Sequence, residues 1–152
     1  MQKKFIRGIV NILMTTLLLA GCSPKADTNH PAVEGVRNYI TMLQMVYVKR
    51  DLNDLKKAAT NNELKRVFPV VQTLLAADNV MKTQVERFDV LVVNPTEGGK
   101  RVIVETREKW TFWWEDRKTG TVTKEKKTEQ YQLRYELVQQ DNRWLVDKVR
   151  NM

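Results

Sequence analysis

Near residue 82 the spacing of apolar side chains changes from every third or fourth residue to every second, and this change of period sets the class of fold. Upstream, Val33, Val36, Ile40, Leu43 and Tyr47 recur at helical spacing behind Pro31, which stands where a first turn would not miss its amide hydrogen. One amphipathic helix is expected over about 31–50. Asp51 is placed to cap a second short helix carrying Leu52, Leu55 and Ala59, and Asn61 or Asn62 a third containing Leu64, Val67 and Phe68. Pro69 is expected to break that third segment or begin another turn, with Val71, Leu74 and Leu75 continuing its apolar side to Asp78 and Asn79.

Downstream the alternation predicts four strands, about 82–93, 101–115, 122–139 and 143–150. In the second, Val102, Val104, Thr106, Glu108, Trp110, Phe112 and Trp114 share one face, while Trp113 falls with Ile103, Glu105, Arg107, Lys109 and Thr111 on the other. Tyr131, Leu133, Tyr135 and Leu137 share a face of the third strand. In the last, Trp144 and Val146 alternate against Leu145 and Val149. Asp141 and Asn142 tolerate the positive φ of a tight hairpin. No linker composition separates the halves, so residues 31–152 read as a single α+β domain, helices first and then an antiparallel sheet.

The N-terminus has a different logic. Lys3, Lys4 and Arg7 precede an apolar run from Ile9 to Ala20 that ends at Gly21-Cys22. That is the charged, apolar and small-residue order of an export signal, too short and too interrupted by Asn11, Thr15 and Thr16 for a spanning helix. Leu19-Ala20-Gly21-Cys22 resembles the lipobox of bacterial lipoproteins. The resemblance implies a thioether-linked diacylglycerol on Cys22, cleavage between Gly21 and Cys22, and acylation, including palmitate, of the new terminus. Cys22 is the only cysteine, so internal disulfides and cysteine metal clusters are excluded, and a free thiol outside the cytoplasm is a liability that alkylation removes. Residues 1–21 are therefore expected to be removed, with 22–30 forming an acylated cysteine and a tether that contains no large apolar side chain.

Charge and missing motifs narrow the function. Three of the 26 basic residues and none of the 18 acids lie in the signal, so cleavage lowers the formal charge from +8 to +5. Export removes nucleic acid as a partner and leaves anionic lipid head groups or acidic envelope polymers as the natural counterpart of a basic surface. The sequence holds no zinc set, glycine-rich phosphate loop, serine–histidine arrangement or calcium loop, and implies no metal and no cofactor. Its one histidine, His30, falls in the tether.

Three helices followed by a meander of long strands, closing with Tyr131, Leu133, Tyr135 and Leu137 and then Asp141-Asn142-Arg143-Trp144-Leu145-Val146, resemble the nuclear-transport-factor-2-like (SnoaL-like) superfamily over roughly residues 31–152. The resemblance implies a cone, with a curved four-stranded sheet wrapping the first helix around a pocket or a packed core. No motif of a catalytic branch matches, so no catalytic residue is carried over. Thr106, Glu108, Trp110, Tyr131 and Tyr135 are the candidate pocket, and Trp113, pointing to the other face, is the candidate interface. The reading that follows is a non-catalytic lipoprotein of the cell envelope, held on the periplasmic side of the outer membrane in a double-membraned cell, that binds an envelope protein or a small apolar ligand. The alternatives are an isomerase- or hydratase-type pocket enzyme using Glu108, and a homodimeric subunit of an envelope assembly.

Overall fold

A computed structural model describes residues 26–96 and 98–152; the expected cleavage and acylation site at Gly21 and Cys22 lies outside them. Helix α1 (Pro31–Lys49) starts on His30, whose Nδ1 accepts a hydrogen bond from the Ala32 amide at 3.1 Å. The expected tether thus stops one residue short. His30 belongs to the domain, with its ring packed against Trp144 at a centroid distance of 5.7 Å. Along α1 the residues Val33, Val36, Ile40 and Leu43 are buried as their spacing implies, joined by Ala32, Tyr39 and Val46. Gly35 fixes how close the helix lies to the sheet. A Cβ at this position would stand 2.8 Å from Trp144 Cβ and 3.0 Å from the Trp144 carbonyl oxygen, so only glycine admits this approach.

The second helix expected from the sequence is reduced to one 3-10 turn, Leu55–Lys57. Asp51 does not cap it: its carboxylate accepts the Asn53 amide two residues on, a local turn that competes with helix formation. Helix α2 (Asn61–Ala76) corrects another expectation by running unbroken through Pro69. The proline lies on the exposed side of the helix, where the carbonyl it leaves unbonded faces solvent, and Leu64, Val67, Val71 and Leu74 hold the opposite stripe in the core. Phe68 and Leu75, read as part of that stripe, are about half exposed instead.

Strands β1 (Asn79–Pro95), β2 (Arg101–Asp116), β3 (Val122–Gln140) and β4 (Arg143–Asn151) form one antiparallel sheet in that order. Asp141 and Asn142, with φ of 48° and 60°, make the tight final hairpin. Among the described residues five register shifts alter the simple alternation, two of them between β2 and β3 opposite Phe112/Trp114 and Trp114/Glu115, and three that reposition core residues. Those at Val85/Arg87 and Val90/Val92 add one residue each to β1, so Val85, Phe88, Val90 and Val93 all reach the core. A third, opposite Glu136/Leu137, puts both Val146 and Val149 against the inward residues Leu137 and Tyr135. That overturns the expected separation of Val146 from Val149. The bulged residue, Asp147, is turned to α2, where it accepts Thr60 Oγ1 at 2.6 Å and Asn62 Nδ2 at 3.2 Å. Helix α1 meets the edge strands β1 and β4 more extensively than the central pair, so the bulged sheet wraps around it. The fold is α+β, with two helices packed on a four-stranded antiparallel sheet.

Candidate functional site

On the inward face of β2 the two-residue spacing of Thr106, Glu108 and Trp110 stacks their side chains in a row. Glu108 is completely buried. Its Oε1 accepts Thr106 Oγ1 at 2.7 Å and Tyr135 Oη at 2.8 Å, and its Oε2 accepts Trp110 Nε1 at 2.6 Å. No salt bridge reaches it among the described residues. A buried carboxylate is costly without compensation, and here three neutral donors supply it.

A second buried carboxylate faces it from the helical layer. Glu63, in the first turn of α2 and 1% exposed, accepts Arg66 Nε at 2.8 and 2.9 Å and the hydroxyl of Tyr39 on α1. Arg66 Nη2 also donates to Tyr39 Oη at 3.3 Å, while about half of the guanidinium side chain remains exposed. The rings of Tyr39 and Tyr135 meet edge to face at 6.1 Å and 72°, joining the two carboxylate sites through aromatic contact. Burial, reinforced by the neighbouring carboxylate, pushes the ionisation of Tyr39 and Tyr135 well up from its ordinary value. The hydrogen bond to Glu63 holds the Arg66 charge still more firmly.

These tyrosines form part of the wall of an open cleft of about 330 Å³ between α1, α2 and the sheet. Trp110, Phe112, Tyr131, Leu133 and Leu43 contribute most of the remaining apolar wall. The carboxylates determine its character: they draw the phenol groups of Tyr39 and Tyr135 and the indole N–H of Trp110 into buried bonds, leaving aromatic ring surface towards the cleft. Glu108 and Thr106 lie behind that wall and not in it. Three side-chain polar atoms of the lining residues make no hydrogen bond among the described residues: Arg66 Nη1, the Tyr47 hydroxyl, and Thr83 Oγ1, which is itself buried.

The structure thus brings Thr106, Glu108, Trp110 and Tyr135 together. Tyr131 lines the cleft separately, bonding to Glu129, and burial with that bond pushes its ionisation up to about 12. Trp113 lies half-buried, its Nε1 donating to Glu115 at 2.7 Å and its ring beneath Lys126 Nζ at 4.6 Å. Sequence reasoning missed Tyr39, Glu63 and Arg66. The available signal was the pair Glu63 and Arg66, three residues apart on α2, with the acid beside the buried Leu64. Among the described residues no group of three or more histidine, cysteine or acidic side chains is placed to hold a metal ion, and no helix is long and apolar enough to cross a membrane.

No family model and no curated protein matches this chain. Its architecture defines a small α+β domain of helices on a wrapped antiparallel sheet, and solved structures share it. The chain is similar to the intermembrane space region of the chloroplast protein ARC6, with a TM-score of 0.72 at 15% identity over 85% of this chain and 98% of that one. Looser similarity extends to an NTF-2 like protein of unknown function from Shewanella oneidensis MR-1, with a TM-score of 0.41 at 10% identity over 78% and 97% of the two chains. A protein of unknown function with a cystatin-like fold from Nostoc punctiforme PCC 73102 gives 0.48 at 6% identity over 78% and 88%.

Proposed function

We propose that this protein is a lipid-anchored envelope protein whose domain binds a small, largely apolar ligand in the cleft between α1, α2 and the sheet, without transforming it. The observation that carries this reading is the wall itself. Tyr39, Tyr135 and Trp110 turn their polar ends into buried carboxylates, so the cleft presents mainly ring surface, with Arg66 Nη1 and the Tyr47 hydroxyl unbonded among the described residues. A volume of about 330 Å³ lies at the small end of ligand pockets, of a size for one ring system or a short acyl chain.

Several features favour binding over catalysis. Glu108, the candidate base, is sealed behind Tyr135 and Trp110 with both oxygens engaged, so no substrate atom comes within bonding distance unless the wall opens. His30 sits at the start of α1 against Trp144 and does not line the cleft. The wrapped sheet supports a nuclear-transport-factor-2-like reading of the architecture. Lipidation at Cys22 rests on the lipobox resemblance, and placement between two membranes draws support from the chloroplast domain with the same fold, an intermembrane space region.

Titration with an environment-sensitive apolar fluorophore tests the binding claim. The wild-type protein is expected to bind one equivalent, and filling the cleft by Leu43→Trp to abolish binding while the fold remains by circular dichroism. Undiminished binding in the filled variant, or a turnover removed by Glu108→Gln, overturns the reading. Mass spectrometry of the N-terminal peptide from membranes tests the anchor: diacylglycerol and acyl mass on Cys22 is expected, and an unmodified cysteine refutes it.

A further inference from the structure

We infer that the end of the domain from which the chain leads back to Cys22 is a docking surface for the anionic phospholipid head groups of the membrane holding the anchor. The inference rests on the lipoprotein reading for its geometry and goes beyond it by giving the domain a fixed face towards the bilayer.

At this end β1 and β3 finish and β2 and β4 begin, and an open polar cleft of about 620 Å³ lies between the strand ends and the start of α2. Lys56, Lys100, Arg101 and Arg143 line it, and none forms a salt bridge among the described residues. One acid, Asp147, shares the lining, with its Oδ1 accepting from Thr60 and Asn62. Asp141 lies in the adjoining hairpin, and Glu97 in the loop before Lys100 is outside the described residues. The cations therefore outnumber the acids.

The position of the chain entry selects the occupant. His30 packs its ring on Trp144, the residue after Arg143, and Trp144 pairs with Gln139, whose amide donates to the Lys100 carbonyl at 2.9 Å. The N-terminal segment therefore leaves from the basic end itself. The seven residues from Ser23 to Asn29 span at most about 25 Å when extended, so this end stays within reach of head groups whenever the lipid is inserted. A basic cleft with a phosphate-bearing surface imposed on it by a short tether fits anionic lipid by charge and by distance.

Every helix, strand and core residue described lies between His30 and Met152, so the chain from Ser23 onward carries the whole fold and lets docking be measured without the anchor. Sedimentation of this unlipidated chain with phosphatidylglycerol-containing vesicles is expected to show binding that falls as salt rises, with little binding to phosphatidylcholine alone. Substituting Lys100→Ala, Arg101→Ala and Arg143→Ala in turn is expected to weaken partition roughly fivefold per charge removed. Lys124→Ala with Lys127→Ala, at the opposite end of β3, is expected to change it far less. Equal losses from both sets, no binding to anionic vesicles at low salt, or loss of binding on adding millimolar inorganic phosphate at constant ionic strength overturns the inference. The last result would indicate a small-anion site in place of a surface. Because this chain lacks Cys22, a failure here is separate from a failure of the lipid anchor, which is read from the N-terminal peptide.

Discussion

Glu63 and Glu108 are both buried, and both are capped by a buried tyrosine, yet the fold compensates them in different ways. Glu63 sits in the first turn of a helix, where the backbone dipole favours negative charge, and its partner Arg66 reaches half into solvent. Glu108 sits mid-strand in the sheet and relies on three neutral donors, two of which, Trp110 and Tyr135, are also cleft wall. The helical site is thus an ion pair that water can reach. The strand site is a closed hydrogen-bond cluster whose loss would release the aromatic wall it positions. A carboxylate here does structural work on a surface that is itself apolar.

Alkali breaks both sites at once and carries the largest expected effect. The ionisations of Tyr39 and Tyr135 are raised by burial and then by their carboxylates, and those of Tyr47 and Tyr131 are raised to about 12, in each case with burial first. Raised tyrosines contribute stability that is fully present below the unfolded value near 10 and is lost as pH rises through the folded values. Tyrosinate absorbance is therefore expected to appear only with cooperative unfolding above about pH 10, and a tyrosine titrating normally in the folded protein contradicts the burial scheme.

Glu108→Ala separates the two sites most sharply. It orphans three donors at about 1–3 kcal/mol each, so urea denaturation is expected to show a loss of about 4 kcal/mol. A loss under about 1 kcal/mol would mean that the cluster does not hold the wall. Arg66→Ala leaves Glu63 with Tyr39 alone. Because the guanidinium is half exposed, water can enter in its place, and the expected loss is smaller, about 2 kcal/mol. Removing the acid as well, with Glu63→Gln, is expected to recover part of it. Thr106→Val removes one of the three Glu108 donors while keeping the side-chain shape, with an expected cost of about 1 kcal/mol and little change in fluorophore binding.

Much of this was legible in the sequence because it depends on period and side-chain type. The run Val102, Val104, Thr106, Glu108 and Trp110 marks one face of a strand whatever the strand packs on, and Asp141-Asn142 announces a hairpin because few residues accept positive φ. Pro69 misled because a proline removes one hydrogen bond but does not outweigh a stripe of four buried aliphatics. Val149 misled because a bulge adds a residue that no local pattern reveals. Tyr39, Glu63 and Arg66 were missed for a related reason: their meaning lies in contacts between α1 and α2, more than twenty residues apart in the chain.

The sequence by itself determined the change from helix to strand near residue 80, the inward row on β2 and the basic balance of charge, since all three follow from the order of side chains. Only the tertiary structure decided that Glu108 would be sealed and not exposed, that a second carboxylate would face it across two tyrosines, and that the basic strand ends would gather where the chain enters at His30. Those outcomes depend on how α1 lies on the sheet, on its close approach at Gly35 and on the bulges in β1 and β4, whose effects are felt only once distant segments are in contact.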